Sequence, residues 1–311
     1  MARKIIIDTD PGQDDAVAIL LAVASPEIDL LGLTIVAGNV PLARTADNGR
    51  KVLELAGRSD VPVFAGCEKP MAKDLVTAEH VHGKTGLDGI ALPAPVMPLQ
   101  AQHGVDFIIQ TLRAEPAGTV TLVPIGPLTN IATAFERAPD IKERVQEIVL
   151  MGGAYFEVGN ITPAAEFNIY VDPEAADIVF KSGAKITVMP LDVTHKALVT
   201  ADVVDRFAQM GTPVGAVVAS WINFSERFDL KKYGSKGAPL HDPATIAYLI
   251  DPTLYEGRHI NVEIEVHSPL TRGMTVADWW GVTDRAANAL FIGTVDATRF
   301  FDLLITRIGR L

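Results

Sequence analysis

The chain has 311 residues, 48% of them hydrophobic and 21% charged, a globular composition long enough to bury a core without disulfides or structural metal. Its net charge of -11 argues against nucleic-acid phosphate as a partner, and the single cysteine, Cys67, excludes both an internal disulfide and thiolate zinc. The longest apolar run, 16–24, is far below a membrane span, and Arg3-Lys4 precede only Ile5-Ile6-Ile7 before the acids begin, too short for a secretory core. The expected compartment is the cytoplasm.

Short β-branched runs alternate with helical patterns. Residues 4–8 read as a buried strand, 14–24 as a helix and 30–36 as a second strand. Helical patterns follow at 45–56 and 105–113, then a strand at 119–124, a helix at 128–137 and a strand at 147–151. A helix over 173–181 carries proline in its first turn, and 186–189 reads as a strand. Beyond residue 195 the pattern is mostly helical, then strand-like at 259–266, 273–276 and 289–294, with a last helix at 296–308. This alternation predicts an α/β fold: an open, mostly parallel central sheet with helices on both faces. With no linker, repeat or low-complexity stretch in view, 1–311 is expected to form a single domain.

Ligands of such sheets bind at the carboxyl ends of the strands, which selects 8–15, 37–39, 124–130 and 151–168. The first of these places Asp8, Asp10, Asp14 and Asp15 around a Pro-Gly turn. Carboxylates so crowded repel one another unless cations or hydrogen-bond donors offset them. Asp14 and Asp15 could simply cap the helix that follows, which leaves Asp10 unexplained. Hard oxygen ligands without His or Cys suit calcium or magnesium. A strand ending in Asp-x-Asp also opens phosphatases of the haloacid dehalogenase type, but there a Thr or Val stands four residues after the first acid. Here that position is Gly12, and the strand ends offer no plain cationic phosphate clamp.

Gly38-Asn39 follows the second strand and reads alone as a turn. On the long segment after 147–151, Asn160, Glu166 and Asn168 offer donors and acceptors together, as a vicinal diol requires. His82 lies in a Gly-flanked loop, and His241-Asp242-Pro243 opens a helix with proline in its first turn. Each residue alone has a bland reading as a cap, a turn or a solvated side chain.

Together these motifs resemble the inosine-uridine preferring nucleoside hydrolases over nearly the whole chain. The resemblance rests on the run from Asp8 to Asp15, Gly38-Asn39, His82-Gly83 and Val123-Pro124-Ile125-Gly126-Pro127-Leu128-Thr129-Asn130. It continues through Met151-Gly152-Gly153-Ala154, Glu166-Phe167-Asn168 and His241-Asp242. It implies a Rossmann-like nucleoside hydrolase fold and calcium-dependent hydrolysis of the N-glycosidic bond of ribonucleosides to ribose and free base. Asp10, Asp15 and Asp242 would ligate Ca2+ with the Ile125 carbonyl, while Asp14, Asn39, Asn160, Glu166 and Asn168 would hold the ribose. Asp10 would take a proton from the attacking water, and His241 would protonate the leaving base. His82 and Phe167 are expected beside the base.

Ser225, Asp229 and Tyr233 recur at four-residue spacing, so a helix there would present them on one face toward the base. Relatives that prefer pyrimidines carry polar contacts in this region, with a tyrosine placed like Tyr233. Asp229 departs from the amide expected, so uridine and cytidine are a lean, beside an inosine/uridine preference. A non-catalytic nucleoside or sugar receptor is the second class of reading, but it has no need of His241 or Asp10. The resemblance further implies a homodimer or homotetramer. Gln13 and Asp8 receive no catalytic role, Asp8 being expected to buttress the turn.

Overall fold

The computed structural model of the protein describes residues 2–233 and 237–311, with the side chains of 226 and 228–233 outside that description. Six strands come first: β1 (Arg3–Thr9), β2 (Ile28–Ile35), β3 (Val63–Ala65), β4 (Val120–Pro124), β5 (Val145–Met151) and β6 (Ile186–Met189). A two-residue pair, β7 (Leu198–Val199) and β8 (Ala238–Pro239), is followed by β9 (Tyr255–Ile260), β10 (Val262–Ile264), β11 (Thr275–Ala277) and β12 (Ala289–Val295). The central sheet has eight strands in the order β3-β2-β1-β4-β5-β6-β12-β9, parallel throughout except for β9 at one edge.

The isoleucine run of β1 shows why helices cover both faces. Successive side chains of a strand point to opposite faces. Ile5 and Ile7 join a core with the helices Gln13–Val23, Pro243–Ile250 and Ala297–Ile308. Ile6 joins the other core, with Gly104–Ala114, Thr129–Arg137 and Pro173–Phe180. All three isoleucines are fully buried, each worth about 1.5–3 kcal/mol of burial. A charge at Ile6 would break the second layer.

The direction of winding reverses between β1 and β4, which places a crevice at their carboxyl ends. Register aligns Asp8 with both Thr34 of β2 and Pro124 of β4. The acids after β1, the Gly38-Asn39 turn after β2 and Ile125 after β4 therefore meet in space. No helix among the described residues is long and apolar enough to cross a membrane.

Two expectations change. The short β3 was not expected, and the single strand expected at 259–266 is two strands in different sheets. The break falls at buried Asn261, whose amide donates to Ala286 O (3.0 Å) and Glu263 Oε1 (3.2 Å). Asn288 then serves Val262, accepting from its N–H (2.8 Å) and donating to its carbonyl (2.9 Å). A side-chain amide thus replaces the ladder there and lets the chain leave the sheet edge.

Candidate active site

The site is built upward from β1. Asp8 is buried, and its Oδ2 accepts from the Thr34 hydroxyl and from the Asn130 amide (2.8 Å). Asn130 also donates to Ile35 O (3.1 Å) and accepts from Cys67 N (2.8 Å), so one amide stitches β1, β2 and the following loop. Asp8 is thus held beneath the turn. Burial pushes its carboxyl up to about 7 against those two hydrogen bonds.

Asp10 stands on the turn, with Oδ2 accepting from Asn39 N (2.6 Å). Its Oδ1 is buried without a hydrogen-bond partner. A side-chain carbon at Gly38 or Gly126 would collide with this carboxyl, which explains both glycines by close approach rather than by turn conformation. The Asn39 amide donates to Asp10 O (3.0 Å) and Asp15 Oδ2 (3.2 Å), joining turn and helix.

The helix Gln13–Val23 begins at Gly12, whose N–H donates to Asp15 Oδ2 (2.9 Å), while the Thr9 hydroxyl donates to Asp15 Oδ1. Capping therefore accounts for Asp15 in part. Ligand oxygens of Asp14, Asp15 and Asp242 all fall within 4.8 Å of one another, although Asp242 is distant in sequence. Asp10 is not in this group, but its charge acts on Asp242. Burial first, then neighbouring acids, raises Asp10 and Asp242 well above the usual carboxylate range. Burial likewise brings Asp14 and Asp15 up to about 6. An uncompensated cluster of this kind, with an orphaned buried oxygen beside it, fits a divalent cation held by oxygen donors.

The polar set after β5 closes one side. Glu166 caps the helix Phe167–Val171, accepting from Asn168 N (3.0 Å), Gly153 N (3.0 Å) and Ile169 N (3.3 Å), and burial raises it to about 7. The Asn168 amide donates to Ile125 O (2.9 Å) and Met151 O (3.1 Å), tying the loop to the ends of β4 and β5. Asn160 Oδ1 accepts from Phe167 N (2.8 Å).

Histidines form the opposite wall. Of the chain's seven, His80, His82, His195 and His241 line the pocket that also holds Asp14, Asp15 and Asp242. His82 Nδ1 lies 2.7 Å from Gln13 Oε1, and the Gln13 amide donates to His82 O and Asp88 O, both at 3.0 Å. Gln13, given no role by the sequence, anchors the His82 loop. Any side chain at Gly12 would strike the His82 ring, so glycine is needed where the phosphatase pattern has Thr or Val. His241 Nδ1 lies 2.7 Å from Thr194 Oγ1, and its ring centroid is 5.7 Å from that of His195. Enclosure by protein brings His82 down to about 4 and His241 to about 3, with other histidines reinforcing it at His241.

Asn39, Ile125, Asn160, Glu166, Phe167, Asn168 and Ser225 also reach this pocket, whereas Asp10 lies under its floor. The Ser225 hydroxyl donates back to Ile222 O (3.1 Å) in the helix Pro213–Tyr233. Asp229 and Tyr233 belong to that helix, but their side chains lie outside the described residues. His80, Thr194 and His195 were missed. The last two sit at the carboxyl end of β6, so the strand-end criterion would have found them had it been carried one strand further.

A family model described as inosine-uridine preferring nucleoside hydrolase matches residues 5–302. An uncharacterized protein of Schizosaccharomyces pombe is 54% identical over 308 residues, covering 99% of both chains. A protein of Shewanella sp. (strain ANA-3) named pyrimidine-specific ribonucleoside hydrolase is 47% identical, covering 99% of this chain and 97% of its own. Among solved structures, a purine-preferring ribonucleoside hydrolase from Gardnerella vaginalis superposes with a TM-score of 0.93 at 35% identity, covering 99% of this chain and 98% of its own. The strand order, the acid cluster beneath a histidine-lined pocket and these likenesses agree: the chain belongs to the inosine-uridine preferring nucleoside hydrolase family.

Proposed function

We propose that this ribonucleoside hydrolase cleaves the N-glycosidic bond with calcium in its acid cluster, and that Asp10 and His241 serve opposite ends of the reaction. The observation that carries this reading is the pairing, in one pocket, of the Asp14–Asp15–Asp242 group with a wall of histidines. The ligands proposed are Asp10, Asp15, Asp242 and the Ile125 carbonyl, with Asp14 close enough to share the ion. A bound cation supplies positive charge that offsets the carboxylates and makes water more acidic.

The remaining work falls to side chains. Asp10 Oδ1, buried without a partner, is the acceptor for the proton that the attacking water loses. Asp14, Asn39, Asn160, Glu166 and Asn168 hold the ribose, converting binding energy into orientation as the sugar becomes oxocarbenium-like. The backbone bonds of Glu166 and the carbonyl bonds of Asn168 fix both side chains in advance. His241 protonates the departing base, and His82, Phe167 and Ser225 lie on the base side. A homodimer or homotetramer is the assembly this reading expects.

Base preference leans to pyrimidines, supported by the pyrimidine-specific Shewanella relative. The structural neighbour from Gardnerella vaginalis is named purine-preferring, so purine nucleosides belong in the same assay. Release of reducing sugar from uridine, cytidine, inosine and adenosine, with calcium present, tests both parts. Ribose is expected from uridine and cytidine first; no ribose from any of them refutes the hydrolase reading.

A further inference from the structure

We infer that Thr194 is a positioning residue for proton delivery, its hydroxyl holding Nδ1 of His241 so that Nε2 alone exchanges a proton with the leaving base. The inference rests on the acid role of His241 proposed above.

An imidazole that delivers a proton from one nitrogen must keep its other proton on the second, and that N–H needs an acceptor when buried. Thr194 Oγ1, 2.7 Å from Nδ1, is the acceptor available. His241 enters the step with a proton on each nitrogen, the one on Nε2 taken up from solvent; Nδ1–H donates to Oγ1 while the Nε2 proton passes to the nitrogen of the base. The electron pair of the N-glycosidic bond leaves with that base, and the water oxygen bonds to the anomeric carbon as its proton goes to Asp10. His241 is left neutral, with its remaining proton on Nδ1.

The turn bearing Thr194 is tightly held. Thr194 is 1% exposed and lies in the short helix Leu191–Thr194 directly after β6. Leu191 N donates to Gly153 O (2.9 Å). Asp192 in the same turn accepts from the N–H groups of Tyr155 (2.8 Å), Phe156 (2.6 Å) and Glu157 (3.1 Å). His195, which follows, pairs with Glu157 through Nδ1 at 3.1 Å. The turn that orients His241 is therefore braced against the loop that leads to Asn160 and Glu166, so acid and ribose are referred to one support.

Thr194→Val keeps the shape and removes the hydroxyl; Thr194→Ser restores it. On uridine or inosine, T194V is expected to lower kcat about 10–100-fold, part of the ~10²–10⁴-fold worth of general acid catalysis. A p-nitrophenyl riboside, whose leaving group needs no proton, should change less than about 2-fold, and T194S should recover most nucleoside activity. Histidine nitrogen NMR of the wild-type protein should show the His241 proton on Nδ1, a readout independent of turnover. Equal losses by T194V on both substrates, or a wild-type ring unprotonated at Nδ1, overturn the inference. H241A separates the two levels. A leaving-group-dependent loss in H241A with none in T194V removes Thr194 alone, whereas equal losses in H241A on both substrates remove the acid role and this inference with it.

Discussion

The carboxylate floor and the histidine wall of the site are built in different ways. The floor comes largely from one stretch, Asp8 to Asp15, at the end of one strand, with Asn39 and Asn130 bonding to it from neighbouring elements. The wall comes from three separate pieces: the His82 loop, the turn after β6 and the segment before Pro243. In the floor, donors hold one oxygen each of Asp8 and Asp10 and both oxygens of Asp15, while Asp8 Oδ1 and Asp10 Oδ1 stay buried without a partner, so the cradle is left short of positive charge. In the wall, distant side chains hold the rings, Gln13 at His82, Thr194 at His241 and Glu157 at His195. On the proposed reading, charge stabilisation belongs to the floor and leaving-group recognition to the wall, where small changes can retune it.

The largest test strikes the floor. Asp10→Ala, or removal of calcium with a strong chelator, should reduce turnover about 10³-fold or more, since a metal supplies several kcal/mol and each 1.36 kcal/mol is tenfold. Added calcium should restore the chelated enzyme, and full activity without a divalent ion would end the metal assignment. Next comes the wall: His241→Ala should cost ~10²–10⁴-fold on nucleosides, read as kcat.

A thermal-stability test separates floor from wall without turnover. Burial raises Asp8 and Glu166 to about 7 and Asp14 and Asp15 to about 6, above their ordinary values of 3.8 and 4.5. Between those values the raised acids bind more protons in the folded protein than in the unfolded chain; they outnumber His82 and His241, whose depressed values act in the opposite sense, so stability falls as pH rises. Chelated protein should gain Tm as pH drops from 7 to about 5, and calcium should flatten or reverse the slope. A chelated protein most stable at pH 7 would contradict a repulsive floor.

The smallest expected effect is Gln13→Ala. Losing hydrogen bonds worth about 0.5–1.5 kcal/mol each should loosen the His82 loop and raise KM a few-fold with little change in metal affinity. A calcium-binding measurement by calorimetry checks the second half; a large fall in calcium affinity would mean that Gln13 serves the floor.

Why the floor could be read from local pattern, while His82 and His241 of the wall took their roles only from the family resemblance, follows from distance along the chain. The isoleucine run, the acids crowded behind it and the glycines beside Asn39 and after Ile125 are local patterns, and local patterns carry their own physical explanation. They predicted the parallel sheet, the ends of its strands as the place for chemistry and an oxygen-rich cluster that could hold a cation. The strand break at Asn261 was not readable, because what interrupts the ladder is the amide of Asn288, far along the chain. The sequence likewise left Gln13 without a role, whereas Thr194 and His195 lie at the end of β6, beyond the four strand ends that carried the sequence reading. Tertiary structure brought Asp242, joined to the acids beforehand only by the family resemblance, to Asp14 and Asp15, pressed Gly12 against the His82 ring and set Thr194 on Nδ1 of His241. Those pairings depend on how helices pack across a twisted sheet, and no spacing along the chain encodes them.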